Sequence, residues 1–229
     1  MALDIDIVDF HTHILPGADH GSDSVETTLL QLGLARDAGV KRIFATSHFY
    51  PNAHTVDGFL EQRDNAYLRL LPHLADGLPE IKLGAEVLIC SGIERLPELS
   101  KLFINGTDTL LLELPFHHFP EEFCDSVESL VSSGVQVIIA HADRYPEYYI
   151  EEMISRGASV QLNASSLSSL IVPRRYLEWI DRGVVRGLGS DIHGADKRAY
   201  KSFVKALSKI GNRKIEIKKY SDEIWSKAK

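Results

Sequence analysis

Between Asp9 and Gly21 the chain reads DFHTHILPGADHG, which sets three histidines and two aspartates within thirteen residues, directly after the apolar run IDIV. An imidazole in a dry interior must be hydrogen-bonded or bound to an ion. His11 and His13 stand two apart, and side chains at that spacing on a strand share a face, so both rings can reach one ion. On its own the pair reads equally well as surface or capping histidines. Polar and metal-competent residues recur, however: His48 in ATSH, Glu86 in LGAE, Glu113 in LLLE, His141 in IIAH, Asn163 in QLNAS, and Asp191 with His193 in GLGSDIH. Glu86, Glu113 or Asp191 alone would read as a loop carboxylate or a helix cap, but their shared phase would then be a coincidence. Carboxylates and imidazoles without cysteine suit Mn2+, Fe2+ or Zn2+, and the thiolate set of structural zinc is excluded. The donors outnumber the needs of one ion and imply a cluster of two or three. Such clusters turn bound water into hydroxide near neutral pH and grip an anionic substrate, which points to hydrolysis of a phosphate ester. Phosphoryl transfer also calls for cationic side chains, and Arg144 in AHADRY and Arg198 in SDIHGADKR lie beside the candidate ligands.

Each of these residues follows a β-rich run. Strands are expected at about Ile5–Phe10, Arg42–Thr46, Ile81–Ala85, Thr109–Leu112, Gln136–Ala140, Ser159–Leu162 and Val184–Leu188. Several are continuous apolar runs such as VIIA and LLL, as strands covered on both faces should be. Helical patterns lie between them. In SVETTLLQLGLARDAG, Ser24 is the expected cap and Gly39 the stop; DGFLEQRDNAYLRLLPHL and EEFCDSVESLVSSG follow the same logic. The alternation predicts a parallel α/β fold. Seven strands rather than eight suggest a distorted (β/α)7 TIM-like barrel, with a doubly wound open sheet as the alternative. In a parallel barrel the C-terminal strand ends meet at one mouth, so six of the seven strands would deliver a metal-competent side chain to one place.

At 229 residues, 44% hydrophobic and 25% charged, the chain has the composition of a globular protein with a sizeable core, and no linker-like stretch divides it. Its net charge of −7 argues against a nucleic-acid partner. The opening MALDIDIVDF carries acids inside its apolar run, unlike a signal peptide, and no run approaches the roughly 18 residues of a membrane span. Cys90 and Cys124 form no pair motif and suggest a reducing cytoplasm. A thiolate phosphatase is rejected, because CSGIER sets four residues between Cys90 and Arg95 where the phosphate-cradling loop requires five. His54 and His73 are assigned to a loop and a helix without a functional role, and His117 and His118 read equally as pocket-lining or solvent-exposed.

In order and spacing, HTHILPGADHG, TSH, GAE, LLLELP, AHADRY and SDIHGADKR resemble the PHP (polymerase and histidinol phosphatase) superfamily. The HTHILPG opening and the AHADRY motif are more narrowly similar to its bacterial manganese-dependent protein-tyrosine phosphatases, which act on autophosphorylated tyrosine kinases of capsule and exopolysaccharide synthesis. The match runs from Ile5 to Arg198. The resemblance implies a single PHP phosphatase domain over residues 1–229, a cytoplasmic enzyme, and a trinuclear centre with Mn2+ as first choice and Fe, Co or Zn as substitutes. Carried over by position, His11, His13, Glu86 and Asp191 would hold one metal. Glu86 would bridge to a second, held with Glu113 and His141, while His20, His48 and His193 would hold a third. Arg144 and Arg198 match the family's phosphate-binding arginines. The expected reaction is in-line attack of a metal-bridging hydroxide on the phosphorus of a phosphotyrosine protein, with a bacterial tyrosine kinase as partner and neither nucleic acid nor membrane insertion involved. Two positions depart from the family: His20 stands where Asp is usual, and Asp143, expected behind the ligands, where Glu is usual.

Histidinol-phosphate phosphatase, which acts on a small alkyl phosphate, is the nearest alternative. A metal-dependent amidohydrolase also opens with His-x-His but expects a histidine where Asn163 stands. A degenerate PHP scaffold is the non-enzyme alternative, and the near-complete donor set speaks against it. The tail from Gly211, GNRKIEIKKYSDEIWSKAK, is expected to form a short strand and a solvated terminal helix, with a docking surface as its functional alternative. Association into a homo-oligomer stays open.

Overall fold

The seven apolar runs all extend, but two of them break and resume. The computed structural model describes residues 5–229. Its first half holds β1 (Ile5–Thr12), α1 (Val25–Asp37), β2 (Val40–Ala45), β3 (His48–Phe49), α2 (Val56–Leu70), β4 (Glu80–Leu83), β5 (Glu86–Leu88) and β6 (Thr109–Glu113). Then come α3 (Glu121–Ser132), β7 (Gln136–Ile139), α4 (Glu147–Ser155), β8 (Ser159–Asn163), α5 (Ala164–Leu167), α6 (Arg174–Asp181), β9 (Val185–Gly189), α7 (Lys197–Ile210) and α8 (Lys214–Lys227). Ser24 caps α1 as expected, accepting from the Thr27 amide, and Gly39 follows its end at φ +88°.

All pairings are parallel, in the order β3-β5-β6-β7-β8-β9-β1-β2-β4. Among the described residues, nine strands therefore stand where seven were expected. The extra two arise at Thr46–Ser47 and Gly84–Ala85, where β2 gives way to β3 and β4 to β5. At the first break the Thr46 hydroxyl accepts from the Thr12 amide at 3.2 Å, so a side chain replaces a ladder partner. Because β2 and β4 end one side of the sheet while β3 and β5 end the other, the sheet curls until its ends are joined through these breaks.

Alternate residues go to opposite faces, as strand geometry requires. Ile43, Leu110, Leu112 and Ile139 join the large core under the helices, while Phe44, Leu111 and Ile138 join a second, inner cluster with Val8 and Phe10. The tail departs from expectation. It forms a short 3-10 turn and α8, with no strand, and Ile224, Trp225 and Ala228 are buried in the inner cluster rather than solvated. The local alternation IEI reads as a strand, but the buried positions Ile217, Ser221, Ile224 and Trp225 recur at helical spacing. Lys82 on β4 holds the helix end, donating to the carbonyls of Trp225 and Ala228 at 2.9 and 2.8 Å. Among the described residues, no helix is long and apolar enough to cross a membrane.

Candidate metal centre

The chemistry gathers at the C-terminal ends of the strands. On β1 the consecutive residues Phe10 and His11 both lean inward, which a regular strand forbids. A register shift between Asp9 and Thr12 permits it. The neighbouring β9 makes room with Gly187 and Gly189: a Cβ there would come within 2.4 Å of Phe10 Cγ and 2.6 Å of His11 Cβ. On β6, Glu113 continues the inward face of Leu111. His141 and Asp191 leave their strands in the left-handed region, at φ 31° and 50°, a strained conformation that re-aims a side chain.

Glu86, fully buried, is the hub. Its Oε2 lies 3.2 Å from His11 Nε2, 3.3 Å from His13 Nε2 and 2.9 Å from His48 Nδ1, while its Oε1 lies 2.8 Å from His141 Nε2. Glu113 stands 3.6 Å from both His48 Nδ1 and His141 Nε2. Asp191 Oδ1 is 3.9 Å from His11 Nε2 and 3.5 Å from His13 Nε2. Among the described residues, three donor sets lie within 4.8 Å and could hold a cation: His11, His13 and Asp191; His48, Glu86 and Glu113; and His13, His48 and His193. The geometry thus brings together eight of the nine expected ligands directly. The ninth, His20, is exposed and reaches the group by ring contact, with centroids 4.9 Å from His48 and 4.7 Å from His193. His48 sits nearer the Glu86–Glu113 pair than its expected place in a third site alone.

Two acceptors missed in the sequence decide which nitrogens face the cluster. Asp19 Oδ2 accepts from His13 Nδ1 at 2.8 Å, and also from the His48 amide. Gln161 Oε1 accepts from the His141 amide at 2.6 Å, which orients its amide group, and so also accepts a hydrogen bond from His11 Nδ1 at 3.1 Å. Both rings are thereby turned to present Nε2 to the cluster, with the two nitrogens 3.0 Å apart. Gly21 lets His13 sit there, since a Cβ on it would fall 2.0 Å from His13 Cβ. Further round, Asp143 accepts from the Asn163 amide at 2.8 Å, and Asn163 Nδ2 donates to Asp191 Oδ2 at 3.0 Å, so Asp143 connects to a candidate ligand through Asn163.

The residues fit a cation on two counts. Glu86 Oε2, His48 Nδ1, His141 Nδ1 and His193 Nε2 are buried without a hydrogen-bond partner, although His48 Nδ1 and Glu86 Oε2 are only 2.9 Å apart. Buried polar atoms without partners are costly in a dry site, and a cation shared among them would satisfy them. The field also favours positive charge. Burial opposes charge on His48 and His141, yet Glu113 and Glu86 outweigh it and lift each imidazole to about 9. Burial would likewise raise Glu86, Glu113 and Asp191, but their imidazole partners pull all three below the usual carboxylate range.

The cationic side chains differ. Arg144, directly after the His141 turn, pairs with Asp191. Arg198 is 89% exposed and pairs with Asp196 at 3.0 Å. Both line one cavity of about 390 Å³ with Asp191 and His193. His117 and His118 are exposed, and His54 accepts from the Tyr50 amide at 3.2 Å and packs on Phe49, Tyr50 and Phe59. Cys90 and Cys124 are free, and burial pushes both thiols up, away from the thiolate.

The family described as capsular polysaccharide synthesis, CpsB/CapC, matches residues 7–228. The tyrosine-protein phosphatase CpsB of Streptococcus pneumoniae is 26% identical over 212 residues, covering 84% of this chain and 85% of its own. The tyrosine-protein phosphatase YwqE of Bacillus subtilis is 24% identical over 206 residues, covering 85% and 80%. A crystal structure from work on YwqE and CpsB, described as unique metal-dependent tyrosine phosphatases, superposes with a TM-score of 0.78 at 21% identity over 97% of this chain and 96% of that one, a likeness of fold. With the family's pattern running almost from end to end, the chain belongs to the CpsB/CapC family of capsular polysaccharide synthesis.

Proposed function

We propose that the chain is a metal-dependent protein-tyrosine phosphatase of the PHP superfamily, one domain built on a distorted (β/α)7 barrel in which β2 with β3, and β4 with β5, each count as one strand. The observation that carries this reading is the convergence of four imidazoles on the buried Glu86 carboxylate, at 2.8 to 3.3 Å. The names of the CpsB and YwqE relatives support the substrate class. In this reading His11, His13, Glu86 and Asp191 hold one ion, Glu86, Glu113 and His141 a second, and His20, His48 and His193 a third. Mn2+ held there would supply Lewis acidity and the activation of water near neutral pH. Arg144 offers planar paired donors to the phosphoryl group and stabilises the charge that builds on it. Arg198 does the same from across the cavity once it exchanges Asp196 for the substrate. A phenolate, with an ordinary pKa of about 10, departs without strong acid assistance, so no general acid is assigned. The family's link to capsular polysaccharide synthesis makes a bacterial tyrosine kinase of that system the proposed protein substrate.

The test is turnover by the Mn2+-loaded protein of a phosphotyrosine peptide beside histidinol phosphate, before and after thiol alkylation. Phosphotyrosine hydrolysis that survives alkylation is expected. A preference for histidinol phosphate moves the chain to the alkyl-phosphate branch, and hydrolysis of neither leaves a scaffold.

A further inference from the structure

The donors described above account for the phosphoryl group, and none of them recognises the aryl ring that carries it. Next to the cluster, one large apolar ring lies exposed. Phe116, between β6 and α3, is 52% exposed, although its ring lies nearly parallel to His141, at 14° and 6.3 Å between centroids. His141 in turn stacks on His11 at 26° and 5.6 Å, so Phe116 ends a series of three rings that starts inside the cluster. The segment bearing it is held at both ends. The Tyr145 hydroxyl donates to the Leu114 carbonyl at 2.8 Å and accepts from the Leu114 amide at 3.1 Å, and the Tyr149 hydroxyl donates to the Pro120 carbonyl at 2.9 Å. Phe119 is tucked against Tyr149 at 5.0 Å. Two tyrosines thus pin the loop and leave the Phe116 ring presented beside a candidate ligand.

The geometry points to Phe116 as the platform on which the aryl ring of a phosphotyrosine substrate stacks, a specificity-determining contact that rests on the tyrosine-phosphatase reading. A ring carried on an anchored loop offers its face at a reduced ordering cost on binding. An aryl ester gains the stacking contact and an alkyl ester does not, so the platform selects between phosphomonoesters that the metal centre and arginines treat alike.

The test compares Mn2+-loaded wild type, Phe116→Leu and Phe116→Tyr in two readouts. Calorimetry measures binding of phenylphosphonate and methylphosphonate; steady-state kinetics measures kcat/KM for a phosphotyrosine peptide and glycerol phosphate. Wild type is expected to prefer the phenyl probe, and Phe116→Leu to lose roughly three- to tenfold of that preference, the fold-change one aromatic contact carries. The aryl-to-alkyl ratio of kcat/KM should fall in step, chiefly through KM, with Phe116→Tyr restoring both and metal content unchanged. An unaltered preference in Phe116→Leu overturns the platform. So does an equal weakening of both probes with loss of metal, which makes Phe116 mere packing for His141. Wild type that prefers phenylphosphonate yet hydrolyses no phosphotyrosine overturns the phosphatase reading and keeps the aryl site; the reverse result overturns the platform alone.

Discussion

Phe10 and His11 are neighbours on β1 and lean the same way, yet they open onto opposite surroundings. Phe10 meets Phe44 edge-on at 5.1 Å, and Phe44 meets Trp225 of α8 at 5.0 Å, so that end of the inner face is filled by groups that satisfy one another. His11 meets His13, Glu86 and Asp191, a set of imidazole nitrogens and carboxylate oxygens turned toward one another. One end is complete as folded. The other is, in the proposed reading, completed by a cation. Stability and ligand affinity should therefore separate along this strand, and substitutions on either side can break that separation.

The largest effect is expected at the apolar end. Trp225 is 7% exposed, and Trp225→Ala should cost about 3–5 kcal/mol of stability by urea unfolding. Metal content per folded molecule should stay near wild type; its loss in the folded state would show that the two ends are not independent. Next comes Glu86→Gln, which keeps shape but removes the charge and one good donor oxygen. It should lower metal content and reduce kcat/KM at least about 100-fold with the circular dichroism spectrum kept. A full metal complement with normal turnover would remove Glu86 from the hub.

Asp19→Asn tests the acceptor behind His13. An amide is a weaker partner for Nδ1–H and leaves Nε2 less basic, so metal affinity should fall roughly tenfold while kcat at saturating metal changes little. An equal fall in kcat at saturation would instead place Asp19 among the groups acting on substrate. The smallest effect is assigned to Arg198→Lys. At 89% exposure its pair with Asp196 is a surface contact, so Tm should not move, while loss of the planar donor set should lower kcat/KM roughly two- to tenfold. A changed Tm with unchanged kinetics would make Arg198 structural.

The same contrast explains what was legible beforehand. Strand ends announced themselves because runs such as VIIA and LLL stop at His141 and Glu113, and the residues that follow a run need no long-range information to be noticed. The splitting of β2 from β3 was not legible, because it involves the Thr46 hydroxyl meeting the Thr12 amide across the sheet. Asp19 and Gln161 were missed for a similar reason. Each acts on a histidine from another element or turn, and neither type nor spacing marks a residue that only orients a ligand. Gln161 stands two before Asn163 on β8, and that shared face was the one signal available. The tail misled through a three-residue alternation, IEI, that the longer helical spacing from Ile217 to Trp225 outweighs.

The central claim is that the polar end is a cation site whose occupancy enables phosphate-ester hydrolysis. The most direct measurement is elemental analysis of the purified protein paired with phosphotyrosine-peptide turnover through chelation and Mn2+ restoration. Two or three divalent ions per chain, turnover abolished when they are stripped and recovered when Mn2+ returns, is the predicted result. Turnover that survives exhaustive stripping, or protein that takes up no divalent metal, would contradict it.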